Sequence, residues 1–317
     1  MKLCIQIPCL NEARTLPDVL STIPTKIPGI TEIVVVVIND GSSDDTVAIA
    51  KSNGVSHFVH HAQRRGLAQS FQDGIIYCLQ LGADIIVNTD GDNQYPSQDI
   101  PRLISPILSG QADMVIADRQ VHKIVYFSHG KKLFQKFGTW ILNKAANTDI
   151  PDAPSGFRAY SRDTAFRINV VTRFSYAMET LIQAGNSGIA IASVPITVNP
   201  KTRESRLFNS NMEHVLKSGA AIFRAFVMYR PYMVFLPLGG GLFALGIVPF
   251  VRFLWSALDD TPGGHIQSLI FGTVFLIGAL ISFTLGVLAD MVRVNRILQE
   301  KNLELTRRRF VKESSNT

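Results

Sequence analysis

Short apolar, β-branched runs alternate with stretches of helical period through roughly the first 200 residues. LCIQIP leads to TLPDVLSTI, EIVVVVIN leads through DGSSDDT to VAIAKSNG, and HFVHH leads to LAQSFQDGIIYCLQLG. DIIVNTD then leads to QDIPRLISPILSG and on to MVIAD. Strand and helix taking turns in this way predict a doubly wound α/β domain with a mostly parallel sheet. VVVVI and DIIV are almost continuously apolar, as expected of strands covered on both faces. The pattern changes late in the chain. Met233 to Val251 gives 19 residues without a charge and Ile266 to Ala289 gives 24, helices of about 28 and 36 Å. Each is long enough to span a bilayer, and two in succession predict a membrane hairpin rather than a pair of buried core helices. Just before them, Val215, Ile222, Phe226 and Tyr229 recur at helical spacing, with Lys217 and Arg224 elsewhere on the circumference. That stretch reads as an interfacial helix on an anionic membrane, or as an amphipathic helix packed on the domain. The expected order is a catalytic-type domain over 1–210, an amphipathic helix over 211–230, two membrane helices within 231–290 and a basic tail over 291–317.

Composition supports the membrane reading. The chain is 317 residues and 34.9 kDa, 46% hydrophobic and 18% charged, with a mean hydropathy of +0.18. That is oilier than an ordinary soluble enzyme and far from disordered. The net charge is +6, and residues 291–317 hold seven basic and three acidic side chains, or +4 of it. The basic excess belongs to the tail and makes no nucleic-acid-binding face. Cys4, Cys9 and Cys78 show no metal-type spacing and leave an odd thiol in any disulfide scheme, which points to a reducing compartment. The opening MKLCIQIPCLNEA has too short an apolar run for a secretory signal, so the first domain is expected to stay where it is made.

In a doubly wound sheet, function is expected at the carboxyl ends of the strands. After the first strand come Cys9, Leu10, Asn11 and Glu12, where a dinucleotide binder needs G-x-G-x-x-G, so hydride transfer is not expected. After the second comes Asn39 to Thr46, by itself an ordinary turn and helix cap. After the fourth comes Asp90-Gly91-Asp92-Asn93-Gln94. Alternate side chains of an extended stretch share a face, which places Asp90, Asp92 and Gln94 to converge on one hard cation. Taken alone the string is more often a turn; its strand-end position beside two other acidic strand ends favours the cation. Oxygen donors suit Mg²⁺ or Mn²⁺. His60 and His61 are adjacent in a predicted strand, point to opposite faces and do not make a zinc site.

Taken in order, PCLNE at Pro8 to Glu12, DGSSDDT at Asp40 to Thr46, Arg65-Gly66 with Asp73-Gly74, DGDNQ at Asp90 to Gln94, Asp118-Arg119 and DAPSGFR at Asp152 to Arg158 resemble the motifs of family-two glycosyltransferases of GT-A fold. Within that family they are most similar to the polyprenyl-phosphate glycosyltransferases, the dolichol-phosphate mannose synthase and bacterial GtrB-like group. The similarity runs over about residues 3–210, and the two late spans match membrane-anchored members. Arg64 stands where related sequences often carry Asn. The resemblance implies an inverting, metal-dependent transfer of one sugar from a nucleotide sugar to a polyprenyl phosphate. UDP-glucose and undecaprenyl phosphate are the first expectation and GDP-mannose the alternative. It places Pro8, Asn11, Glu12, Asp40 and Asp90 around the nucleotide, and Asp90, Asp92 and Gln94 at the metal.

A lipid phosphate is already an anionic nucleophile and asks for cations rather than for a base. Arg119 and Arg158 are the candidates to position it, with Ser205 and Arg206 as weaker ones from a region that lacks the family's glycine. Asp152 is the candidate to orient the acceptor or act as base, and Asp92, Arg119 and Asp152 form the expected catalytic set. Lys131 and Lys132 read equally as a solvated face or a phosphate site. A processive polysaccharide synthase would carry Q-x-x-R-W, whereas Trp140 and Trp255 follow Thr139 and Leu254. A non-catalytic nucleotide-sugar sensor would have lost the metal carboxylates. Gly240 and Ala244 form a small-x-x-x-small pair, compatible with a homo-oligomer without requiring one.

Lys217, Arg224 and Arg230 precede the first span, and Arg293, Arg296, Lys301 and Arg307 to Arg309 follow the second. SALDDTPGGH between the spans has neither Lys or Arg. Both termini and the first domain are therefore expected on the cytoplasmic side of a cell (inner) membrane, with Arg252 snorkelling at the outer interface.

Overall fold

The structure is a computed structural model that describes residues 1–121, 129–171, 176–200, 223–224, 227–258 and 266–314. It divides into two compact units, Met1–Val215 with Glu300–Thr317, and Leu216–Gln299.

The first unit is built on one seven-stranded sheet. Its elements in chain order are β1 (Lys2–Cys9), α1 (Leu16–Ser21), β2 (Glu32–Asn39), α2 (Thr46–Ser52), β3 (His57–His60), α3 (Leu67–Gln80), β4 (Ile85–Asn88), α4 (Ile100–Leu108), β5 (Met114–Asp118), α5 (His129–Ala146), β6 (Arg158–Ser161), α6 (Arg162–Arg167), α7 (Tyr176–Asn186) and β7 (Ile191–Pro195). The strand order is β3-β2-β1-β4-β6-β5-β7. All neighbours are parallel except β6, which runs antiparallel to both β4 and β5. The mostly parallel α/β sheet and its first five strands stand where the hydrophobic pattern placed them. β1, β4 and most of β2 are buried, so burial on both faces accounts for their unbroken apolar runs. Leu3, Ile5, Ile7, Val37, Ile85, Val87, Leu103 and Val115 form the centre of the core.

β1 has β2 on one side and β4 on the other. The strand order reverses there, and a crevice opens beyond the carboxyl ends at such a switch point. Pro8 sits inside β1, opposite Ile38. Its position shares the parity of Gln6, whose carbonyl accepts from Thr89 N at 3.1 Å on the β4 side. The pairing with β4 stops at Gln6 and Asn88, so the missing N–H of Pro8 points past the end of that ladder and costs no sheet hydrogen bond.

The second unit holds α8 (Pro231–Leu258) and most of α9 (Ile266–Ser314). Both helices are long and apolar enough to cross a membrane, each holding an 18-residue stretch of high mean hydropathy, 2.1 within Pro231–Trp255 and 2.2 within Gln267–Glu313. They run antiparallel: Ser282 Oγ donates to Phe235 O at 3.0 Å, Gly239 faces the Phe283 ring and Gly246 faces Leu276. A Cβ on Gly246 would stand 2.9 Å from Leu276 Cγ, so glycine there sets the close approach. Gly240, of the Gly240–Ala244 pair, opens onto empty space. Most of the proposed 211–230 helix, together with Ser205, Arg206 and the 259–265 loop, lies outside the described residues. Tyr229, grouped on the apolar face of that helix, is buried and carries the Arg296 guanidinium over its ring at 4.7 Å.

Helix α9 does not stop where the apolar span stops. It continues unbroken through the basic tail, and its last turns pack in the first unit. Arg307 donates from Nη1 to Ile168 O at 2.7 Å and from Nη2 to Asn169 Oδ1 at 2.9 Å. Arg308 pairs with Asp163 and lies 4.7 Å over the Phe166 ring, and Val311 is buried.

Candidate active site

Three loops meet above the switch point: 10–15 after β1, 40–46 after β2 and 89–95 after β4. The first two are tied by short polar contacts. Asn11, at φ 57°, donates its N–H to Ser42 Oγ at 3.0 Å and accepts from Ser43 N at 2.8 Å on Oδ1. Glu12 N donates to Thr46 Oγ1 at 2.9 Å, and Glu12 itself is nearly buried. Thr15 joins this pair to the third loop, its hydroxyl donating to Gly91 O at 2.7 Å. Burial pushes the Cys9 thiol well up, with Glu12 and Asp90 adding to the effect, so it stays protonated beneath the loops.

Asp40 is buried, and its carboxylate is already engaged. Oδ1 accepts from Arg65 N at 2.7 Å and contacts His61 Nδ1 at 2.8 Å, while Oδ2 accepts from Gly66 N at 2.9 Å. His61 in turn reaches Asp73 Oδ2 through Nε2 at 3.0 Å. Gly41, at φ +74°, lies directly under this loop, where an added Cβ would meet Arg64 N at 2.9 Å. The Arg65-Gly66 and Asp73-Gly74 motifs and Asp40 are thus one wall, with His61 at its centre. Adjacent histidines in a strand argue against zinc but carry no local sign of this role for His61.

The acidic turn after β4 holds Asp90, Asp92 and Gln94, all partly exposed. Asp92 Oδ1 accepts from Gln94 N at 3.1 Å, and Asn93, at φ 59°, is braced by Asn199, which donates from Nδ2 to Asn93 O at 2.9 Å. Among the described residues no three His, Cys, Asp or Glu side chains gather into a metal cluster. Two carboxylates and an amide oxygen on one turn are nevertheless the donor set that suits Mg²⁺, which keeps waters and takes its remaining ligands from substrate phosphates.

Opposite the turn, Gly156 of the SGFR string is pinned from several sides. Its N–H donates to Tyr95 OH at 3.0 Å, and its carbonyl accepts from Asn88 Nδ2 at 3.0 Å and from Tyr176 OH at 3.2 Å. A Cβ there would stand 2.7 Å from Tyr176 OH and 3.4 Å from Asp90 Oδ2, so this glycine lets the strand-end loop lie against Asp90. Gln6 donates to Asn88 Oδ1 at 2.9 Å, which extends the polar chain back into β1. Tyr95 also stacks on Phe157 at 5.4 Å. Burial raises the Tyr95 and Tyr176 hydroxyls, so both act as neutral hydrogen-bonding groups. Asn88, Tyr95 and Tyr176 were not singled out from sequence; neutral side chains in core-like surroundings carry no local signal.

Arg119 follows β5 and is clamped by Asp152. Nε donates to Oδ2 at 2.6 Å, Nη2 to Oδ1 at 2.8 Å, and Arg119 N to Oδ2 at 3.1 Å. Gln135 of α5 adds a donor to Oδ1 at 3.2 Å. The Asp152 side chain is 1% exposed and that of Arg119 is 21% exposed. Burial works against the guanidinium's charge and is outweighed by the Asp152 and Asp90 carboxylates, so Arg119 is held above its ordinary value. An Asp152 gripped in this way is a holder for Arg119, and the geometry is at odds with its use as a base.

Arg158 corrects the sequence reading further. It is 0% exposed, and it donates to Ser155 O at 2.7 Å, Ala153 O at 2.6 Å and Thr180 Oγ1 at 2.9 Å. This enclosure conflicts with direct contact to an acceptor phosphate. The arginine is an internal strut of the 153–156 turn.

The sequence profile described as glycosyl transferase family 2 matches residues 4–166. Low-salt glycan biosynthesis hexosyltransferase Agl6 of Haloferax volcanii is 27% identical over 265 residues, covering 81% of this chain and 60% of that protein. Polyprenol monophosphomannose synthase of Mycolicibacterium smegmatis is 25% identical over 228 residues, covering 66% of this chain and 82% of that protein. Among solved structures, glucosyl-3-phosphoglycerate synthase of Mycobacterium tuberculosis, bound to Mn²⁺, UDP and glucosyl-3-phosphoglycerate, superposes with a TM-score of 0.55 at 18% identity. It covers 71% of this chain and 78% of its own. That likeness shows the glycosyltransferase fold.

Proposed function

The chain belongs to glycosyl transferase family 2, and from that premise we propose that it transfers one hexose from a nucleotide sugar to a polyprenyl phosphate at a membrane surface. The observation that carries the acceptor class is Arg119, fixed in plane by a buried carboxylate beside the acidic turn, in a chain with two membrane-length helices. The mannose synthase relative acts in name on a polyprenol, which supports the same class.

In this reading a phosphate oxygen of the acceptor forms a bond to the anomeric carbon as the bond from that carbon to the diphosphate breaks, and the nucleoside diphosphate leaves. The acceptor oxygen is anionic, so no proton has to move to a base. Asp92, Asp90 and Gln94 would hold Mg²⁺ or Mn²⁺, which supplies neutralisation of charge on the leaving diphosphate. Arg119 presents a planar guanidinium to phosphate oxygens, and Asp152 with Gln135 keeps it from rotating away. The 10–15 and 40–46 loops, braced by the Asp40–His61–Asp73 wall, form the nucleotide side, with Pro8, Asn11 and Glu12 along its floor. Ser205 and Arg206 remain proposed acceptor contacts.

UDP-glucose is the donor expected from sequence, and the mannose relative supplies the specific reason to set GDP-mannose beside it. The test is purified full-length protein with undecaprenyl phosphate and a panel of labelled nucleotide sugars, with and without EDTA. Transfer from one hexose donor, lost with EDTA and restored by Mg²⁺ or Mn²⁺, is expected; transfer indifferent to EDTA contradicts the metal assignment.

A further inference from the structure

We propose that the outer face of α5 is a lipid-contact surface that rests among the headgroups of an anionic bilayer. This builds on the reading of the chain as an enzyme of lipid phosphate, and adds a contact distinct from the membrane-length helices. Phe137 and Trp140 are 57% and 56% exposed and stack with their rings 6.0 Å apart. Lys136 and Lys144 are exposed on the same side. At 3.6 residues per turn these four positions fall within an arc of about 100°. Thr139, Leu142, Ala145 and Ala146 turn the opposite face into the core.

Two large rings on the surface of an α/β domain are unusual when nothing covers them. Among the described residues of the first unit, the exposed large aromatic rings are Phe137, Trp140 and Phe310. The chemistry of the helix selects the occupant. HGKKLFQKFGTWILNKAA has four lysines and no Asp or Glu, so it complements a negative surface. Trp with flanking Lys is the combination that settles at the headgroup level, ring among acyl boundaries and ammonium toward phosphate. The chain also carries its own membrane-length helices, so a bilayer is at hand. The inward face of the same helix carries Gln135, which donates to the Asp152 carboxylate that clamps Arg119. One helix therefore links the headgroup layer to the arginine assigned to the lipid phosphate.

The sequence offers a clean probe, because Trp140 and Trp255 are its two tryptophans. In Trp255→Phe, Trp140 is the sole reporter. The full chain is reconstituted into vesicles of phosphatidylcholine with or without phosphatidylglycerol, and Trp140 emission is read against lipids brominated near the headgroup and against aqueous iodide. Quenching by brominated lipid with shielding from iodide in the anionic vesicles is expected. Lys136→Gln and Lys144→Gln should each weaken the lipid contact about fivefold at low salt, an effect that salt itself mimics. Free quenching by iodide with no effect of brominated lipid would overturn the proposal. So would shielding that follows protein concentration rather than lipid, since a second copy would then cover the face. Phe137→Ser with Trp140→Ser should raise KM for a bilayer-embedded acceptor several-fold and leave KM for a short, water-soluble polyprenyl phosphate unchanged; an equal rise for both also counts against it. The quenching needs no turnover, so a failure of lipid contact and a failure of the proposed reaction are read separately.

Discussion

Asp92→Asn preserves the size of the side chain and the oxygen that accepts from Gln94 N, so the turn should keep its shape while losing a charge that a cation needs. The expected outcome is a loss of about 10²-fold or more in turnover with an unchanged thermal midpoint; near wild-type rates at ordinary metal concentration would remove Asp92 from the metal site. Arg158 calls for the reverse pattern. Arg158→Lys cannot serve Ala153 O, Ser155 O and Thr180 together, and each buried acceptor left unpaired costs about 1–3 kcal/mol. A clearly lower denaturation midpoint is expected, whereas wild-type stability with a selectively raised acceptor KM would return Arg158 to the phosphate. Residue types at strand ends were legible because carboxylates there stand out from an apolar strand. Their partners were not: arginine is rarely enclosed, so nothing local marked Arg158 as a strut, and nothing in HFVHH marked His61 as the group that links Asp40 to Asp73.

At the scale of elements, the docking of the α9 tail rests on unequal contacts. Arg307 makes two hydrogen bonds to the segment after α6, and burial lowers its guanidinium from the ordinary value. The Arg308 pair with Asp163 is far more open to water, and such pairs contribute about 0–1 kcal/mol. Arg307→Ala should therefore speed amide hydrogen exchange in 168–171 and in the last turns of α9 much more than Arg308→Ala does; equal effects would mean the tail is held by charge alone. The long apolar strands and the first four helices were legible from period and turn residues. β6 was not, because RAYS is four residues long and its burial comes from neighbours, Met114 and Ile116 on one side and Ile86 and Asn88 on the other. The sequence sets the tail apart as a basic segment because the apolar pattern ends near Ala289, while the helix is carried onward by good helix formers such as Leu298, Lys301 and Leu303.

At the scale of the whole molecule, we propose the topology expected from the distribution of Lys and Arg around the two spans. In that proposal the C-terminus lies on the cytoplasmic side and the loop at 256–265, which has neither Lys nor Arg, on the other. Cys4, Cys9 and Cys78 are buried, so an impermeant maleimide has little native background. Thr261→Cys should be labelled in intact cells and Ser314→Cys should not; labelling of Ser314→Cys from outside would overturn the arrangement and the cytoplasmic donor with it. The central claim is the acceptor, a lipid phosphate that receives a single sugar, and product analysis tests it most directly. Full-length protein is given the accepted nucleotide sugar with undecaprenyl phosphate or with undecaprenol, and the lipid products are resolved by mass. The expected result is one hexose added to the phosphate and none to the alcohol; equal transfer to the alcohol, or products carrying more than one sugar, would contradict it.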